Sequence, residues 1–132
     1  LDQELSARAG HAVKASFTPH LLPMNRGILS TVYGELAAGV GIEEAQAVLH
    51  DFASREAFVV HAQGSTPVAT RFVRSTNRVM VDLKADRRDG SFILLSAIDN
   101  LTKGSSGQAF QNFNVAFGLE ETTGLHLVSA FP

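Results

Sequence analysis

The chain has 132 residues, of which 45% are apolar and 18% charged, with a net charge of −2 and no cysteine. That size and apolar content suit one folded, soluble domain rather than a disordered segment, and the lack of cysteine removes both a disulfide framework and a thiol nucleophile from this chain. The slight acidity offers no electrostatic footprint for nucleic acid or an anionic membrane. No apolar run is long enough to span a bilayer and no signal-peptide pattern is present, so a cytoplasmic location is expected.

The first ten residues read as the end of a helix stopped by Gly10, and a fragment of a longer chain is the expectation from that start. Residues 11–19 alternate, with Val13, Ala15, Phe17 and Pro19 on one side, which predicts a half-buried strand. After the interruption at residues 21–27, residues 28–36 predict a second strand rich in apolar and β-branched side chains. Ile42, Ala45, Val48, Leu49, Phe52 and Ala53 recur at helical spacing and predict an amphipathic helix over 42–55, with Glu43 and Glu44 at its positive end.

Residues 58–62 predict a short strand, 63–67 a loop and 68–73 another strand. Val79, Val81 and Leu83 alternate with Met80, Asp82 and Lys84, the pattern of a strand whose second side meets water. Residues 86–90 predict a hairpin loop with Gly90 free to take positive φ, and 92–98 is apolar on both faces, as a central strand requires. A closing helix ends at Gly118, with Ser105 or Ser106 as its cap. Its Ala109, Phe110, Phe113, Ala116 and Phe117 make the inward stripe, and Gln108, Gln111, Asn112 and Asn114 make an amide-rich face free to touch something polar. Residues 125–128 form a short strand or tail. The order predicts a single α+β domain over 1–132: a mixed, mostly antiparallel sheet with helices on one face.

Two stretches carry candidate chemistry. The turn Lys103-Gly104-Ser105-Ser106-Gly107 precedes a helix, where free N–H groups and the helix dipole attract anions, although capping is the commoner use of such residues. In residues 18–27, Pro19 and Pro23 stiffen a loop that presents His20 and Arg26. Arg26 offers a planar fork for carboxylate or phosphate, and histidine is the residue type suited to proton transfer near neutrality; the plainer alternatives are a strand-end histidine and a surface ion pair. His11, His50, His61 and His126 lack metal-ligand spacing, so no metal is expected.

Phe17-Thr18-Pro19-His20-Leu21 with Arg26-Gly27-Ile28-Leu29, then Ala97-Ile98-Asp99-Asn100-Leu101, Lys103-Gly104, Gly107 and Gln111, and finally Phe117-Gly118-Leu119 with Thr123-Gly124-Leu125, resemble the N-acetyl-gamma-glutamyl-phosphate reductase family over nearly the whole chain. The resemblance implies part of an arginine-biosynthesis enzyme that uses NADPH to reduce an acyl phosphate to N-acetylglutamate semialdehyde through a cysteine thioester. It implies a catalytic and dimerisation domain similar to that of glyceraldehyde-phosphate and aspartate-semialdehyde dehydrogenases, partnered by a Rossmann domain to which residues 99–132 return.

The family's cysteine and acid/base histidine motifs are absent, so no catalytic residue is expected here and the isolated chain is expected to be inactive. Arg26 and His20 become candidates for binding a small anionic substrate. Asn100, Lys103, Gly104 and Ser105 become candidates for contacts with NADP, bound mainly by the other domain, and a homo-oligomer is the expected assembly. Ser75-Thr76-Asn77 stands where the family has Gly-Ser-Asn. The alternative is a non-catalytic α+β binding or dimerisation module that keeps the fold.

Overall fold

The computed structural model describes residues 1–62 and 64–129. Helix α1 (Asp2–Ala9) is followed by strand β1 (Ile28–Glu35), helix α2 (Ile42–Arg55), strands β2 (Val59–His61), β3 (Val79–Ala85) and β4 (Ser91–Ile98), and helix α3 (Gly107–Ala116). The strands form one sheet in the order β1-β4-β3-β2. β4 is antiparallel to both β1 and β3, whereas β2 runs parallel to β3. The mixed, mostly antiparallel α+β sheet and the central place of the apolar β4 match the expectation.

Local chemistry explains the boundaries. Gly10 stops α1 in the left-handed region at φ 72, donating its N–H to the Ser6 carbonyl. Gly90 takes φ 71 in the β3–β4 hairpin. Helix α2 lies against β2 and β3, and the Gln46 side chain donates to the Leu83 carbonyl at 2.8 Å. The small apolar core gathers Ala62, Val73, Met80 and Ala97, with Val68 and Phe72 packed against it.

Several expectations fail for physical reasons. Residues 11–19 are no strand: no neighbouring strand pairs with them, and the Val13 and Ala15 N–H groups bond Ser6 Oγ and Asp2 Oδ1 of α1 instead. Residues 68–73 hold a 3-10 turn (Thr70–Phe72) rather than a strand, because the turn lets Val68, Phe72 and Val73 reach Met80 and Ala97. The supposedly wet side of β3 is covered, with Met80 and Asp82 buried. Of the two alternatives for residues 125–128, strand or tail, the structure shows the tail, with Leu125 buried. Gln63, the first residue of the expected 63–67 loop, lies outside the described residues.

Helix α3 reverses the expected polarity. Phe110, Phe113 and Phe117 face outward at 63%, 50% and 69% exposure, while Asn114 is buried and Gln111 partly so. The amide side is inward because it has partners there. Asn114 Nδ2 donates to the Glu121 and Thr123 carbonyls, and Gln111 accepts from Asn77 Nδ2 and Lys103 Nζ. Asn114 and Gln111 therefore serve the chain's own folding, while Asn112 and the aromatic stripe stay exposed.

Candidate functional site

The β1–β4 ladder ends at the pair Ile28–Ile98. Beyond it, side chains extend the pairing: Arg26 Nη2 donates to Asp99 Oδ2 at 2.6 Å, and the Gly27 N–H donates to Asn100 Oδ1 at 2.7 Å. Gly27 has φ 105, and a Cβ there would strike Thr70, so glycine is required on both counts. The rigid delivery of Arg26 to the sheet end follows from these two contacts.

Asp99 is fully buried and saturated. Oδ2 accepts from Arg26 and from the Ser75 N–H at 2.7 Å, and Oδ1 accepts from the N–H groups of Leu101 and Thr102 at 2.9 and 2.8 Å. Burial, the largest single influence, pushes the carboxyl group upward, but the Arg26 guanidinium and the three backbone donors together outweigh it and hold Asp99 far below the usual carboxylate range. Asp99 thus receives the N–H groups that open the turn leading into α3, whereas Ser106 holds the position before α3 without capping it by its side chain. Ser106 is itself helical, and its hydroxyl donates to the Leu101 carbonyl.

Between Asp99 and α3 the chain makes a π-helical turn (Thr102–Ser106). The Gly104 N–H bonds the Asp99 carbonyl and the Ser106 N–H bonds the Leu101 carbonyl. The Gly104 and Ser106 N–H groups are therefore engaged within the chain. Asn100 Oδ1 is occupied by Gly27 N–H, and Lys103 Nζ donates to Gln111 Oε1 at 2.6 Å while lying 5.3 Å from the centre of the Phe58 ring. Burial lowers the Lys103 pKa, opposed by the charges of Glu121 and Glu56. Ser105 is exposed, and its side chain makes no hydrogen bond among the described residues. Asn100 and Lys103 thus already have side-chain partners within this chain.

The structure brings Arg26, Asn100, Lys103 and Gly104 into one polar cluster with Asp99, Asn77 and Gln111. His20 does not join it: it is exposed and makes no hydrogen bond among the described residues. Two buried atoms in the cluster lack partners, Arg26 Nε and Asn77 Oδ1. Asp99 was the residue missed as a chemical actor, though its sequence signal was present: an Asp beyond an apolar strand, two and three residues before helical N–H groups, is a cap pattern.

Elsewhere, His61 Nδ1 lies 3.4 Å from His50 Nδ1, and His61 Nε2 lies 3.6 Å from Asp82 Oδ1. No group of three or more His, Cys, Asp or Glu side chains able to hold a metal ion occurs among the described residues. No helix among them is long and apolar enough to cross a membrane.

Comparison with known proteins agrees with this architecture. A reductase named N-acetyl-gamma-glutamyl-phosphate reductase from Pelotomaculum thermopropionicum is 50% identical over the full chain, which covers 38% of that relative. Proteins of the same name from Geotalea daltonii and Prochlorococcus marinus are each 45% identical, over 100% and 94% of this chain and 38% and 35% of their own lengths. The chain thus spans little more than a third of these relatives, whose shared name is that of the family its motifs resemble. The family described as "Semialdehyde dehydrogenase, dimerisation domain" matches residues 1–100. With a mixed sheet whose apolar edge strand is open and a family match over most of its length, the chain belongs to the semialdehyde dehydrogenase dimerisation domain family.

Proposed function

We propose that this chain is the dimerisation and substrate-side part of a cytoplasmic reductase that converts N-acetyl-glutamyl phosphate to N-acetylglutamate semialdehyde in arginine biosynthesis. The observation that carries this reading is full-chain similarity to relatives bearing that enzyme's name. Reduction of an acyl phosphate to an aldehyde consumes one hydride, which NADPH supplies, and releases phosphate. The cysteine that would form the thioester must come from outside these 132 residues, since none of them is cysteine.

Within this scheme Arg26 meets an anionic group of the substrate, held at the sheet end by Asp99, and His20 approaches from the same loop. Asn100, Lys103, Gly104 and Ser105 line the cofactor side without gripping its phosphates, which another domain binds. The sheet supplies the homo-oligomer interface. β1 supports this role: Ile28, Leu29, Val32 and Tyr33 are all exposed on an edge strand, a costly surface to leave in water.

The test is an assay of the full-length protein. N-acetyl-glutamyl phosphate should drive NADPH oxidation, with one phosphate released per NADPH consumed, and residues 1–132 alone should give no turnover. Absence of substrate-dependent NADPH loss from the full-length protein defeats the reading.

A further inference from the structure

Two consecutive residues of the loop before β1 are gripped by two consecutive residues after β4: Arg26 by Asp99 and Gly27 by Asn100. The same Asp99 carboxylate fixes the Ser75 turn and the first helical N–H groups at Leu101 and Thr102. Three separated stretches of chain therefore converge on one side chain with no exposed surface. Its two oxygens already accept from four donors, which leaves the carboxylate little capacity to compete for anything else.

Arg26 is different. Its side chain is 26% exposed, its Nη2 is fixed by Asp99, and its Nε is buried with no acceptor. The exposed part of the guanidinium can still meet an oxyanion, and a fork already fixed at one nitrogen loses less freedom when it binds.

We propose that Asp99 is a positioning residue: it pre-orients the Arg26 guanidinium so that its exposed part meets an oxyanion of the substrate, and it ties that orientation to the turn leading into α3. This rests on the reading that Arg26 meets an anionic group of an acyl-phosphate substrate. Asp99 itself touches no substrate.

The experiment uses the full-length protein and its Arg26→Ala, Asp99→Asn and double variants. Arg26→Ala should raise KM for N-acetyl-glutamyl phosphate by about tenfold or more, the scale of one lost charged hydrogen bond, with KM for NADPH unchanged. Asp99→Asn should raise the same KM in the same selective way, and the double variant should match Arg26→Ala rather than multiply the two effects. An Asp99→Asn protein whose acyl-phosphate KM stays within about twofold of wild type overturns the proposal, as does an equal rise for both substrates.

A second measurement covers an Asp99→Asn variant that does not fold and a wild type without reductase activity, the latter being failure of the functional reading alone. Nitrogen-15 spectra of the wild-type full-length protein should show restricted rotation of the Arg26 guanidinium. Inorganic phosphate should shift its Nε signal while that restriction persists. Free rotation, or no response to phosphate, overturns the positioning role whatever the activity.

Discussion

Asn77 Nδ2 donates to Gln111 Oε1 at 3.0 Å, and this bond joins the turn before β3 to the inward side of α3. The same Oε1 accepts from Lys103 Nζ, while Gln111 Nε2 donates to the Glu121 carboxylate. Gln111 thus ties α3 to three places at once. Gln111→Ala should destabilise the protein by about 1–3 kcal/mol, because the buried Asn77 amide then loses its acceptor. Chemical denaturation of the full-length protein measures the loss, and hydrogen exchange should locate it in residues 107–125. Unchanged exchange there would show that the amide network does not hold the helix.

Gly107 begins α3 with its Cα against Asn77. Its backbone is ordinary helix at φ −65, so glycine is not needed for conformation. A Cβ would instead collide with Asn77 Oδ1 and lie 2.9 Å from the Thr102 carbonyl oxygen. Gly107→Ala should therefore cost about 1–3 kcal/mol through overpacking, even though alanine is the better helix former. Gly118→Ala offers a contrast: nothing lies within 4 Å of its Cβ position, and only its φ of 67 opposes the change. A stabilised Gly107→Ala protein would contradict the packing argument.

Ser75 is the one non-glycine residue with positive φ among the described residues, at 63. Its N–H faces Asp99 Oδ2, so the left-handed backbone serves to aim that donor. Left-handed geometry costs an L-residue about 1–2 kcal/mol, partly offset in glycine by its greater freedom when unfolded. Ser75→Gly should raise stability by up to about 1 kcal/mol, and Ser75→Val should lower it. Thermal unfolding of the two variants beside wild type gives the sign directly.

These residues also mark what the sequence made legible. β4 was readable because its apolar run suits a strand with neighbours on both sides, and α2 because its apolar positions keep helical spacing. Residues 11–19 misled because alternation specifies a strand only where another strand is free to pair; here α1 side chains took the N–H groups. The orientation of α3 misled for a related reason. An apolar stripe normally turns inward, but Asn77, Lys103, Glu121 and Thr123 supply partners that bring the amides in and leave the phenylalanines outside. At the candidate site Arg26 was legible by residue type and by its rigid loop. Its partner was not, because Arg26 and Asp99 are 73 residues apart and only the β1–β4 register joins them.

Oligomerisation has its own test. Tyr33 is 64% exposed on β1, the edge strand of the sheet. If the proposed interface uses this surface, Tyr33→Asp should bury a charge or break the contact, and either route weakens association by about 2 kcal/mol or more. Sedimentation of the full-length variant should then show smaller species at concentrations where the wild type remains associated. A variant that associates like wild type removes β1 from the interface.

Acid should loosen the Asp99 hub. In the unfolded chain an aspartate titrates at about 3.9, whereas the Arg26 guanidinium and three backbone N–H groups hold the folded Asp99 far lower despite its burial. Between those two values the unfolded state binds the extra proton, so stability rises with pH across that window. The contribution is fully present above the unfolded value and is lost as pH falls toward the folded one. Denaturant unfolding of the full-length protein in steps from pH 7 downward should show a decline beginning near the ordinary carboxylate range. Asp99→Asn should be less stable at pH 7 and decline less steeply below pH 4, because its amide has no proton to gain there. Parallel declines in the two proteins would mean that the Asp99 charge is not what Arg26, Ser75, Leu101 and Thr102 are organised around.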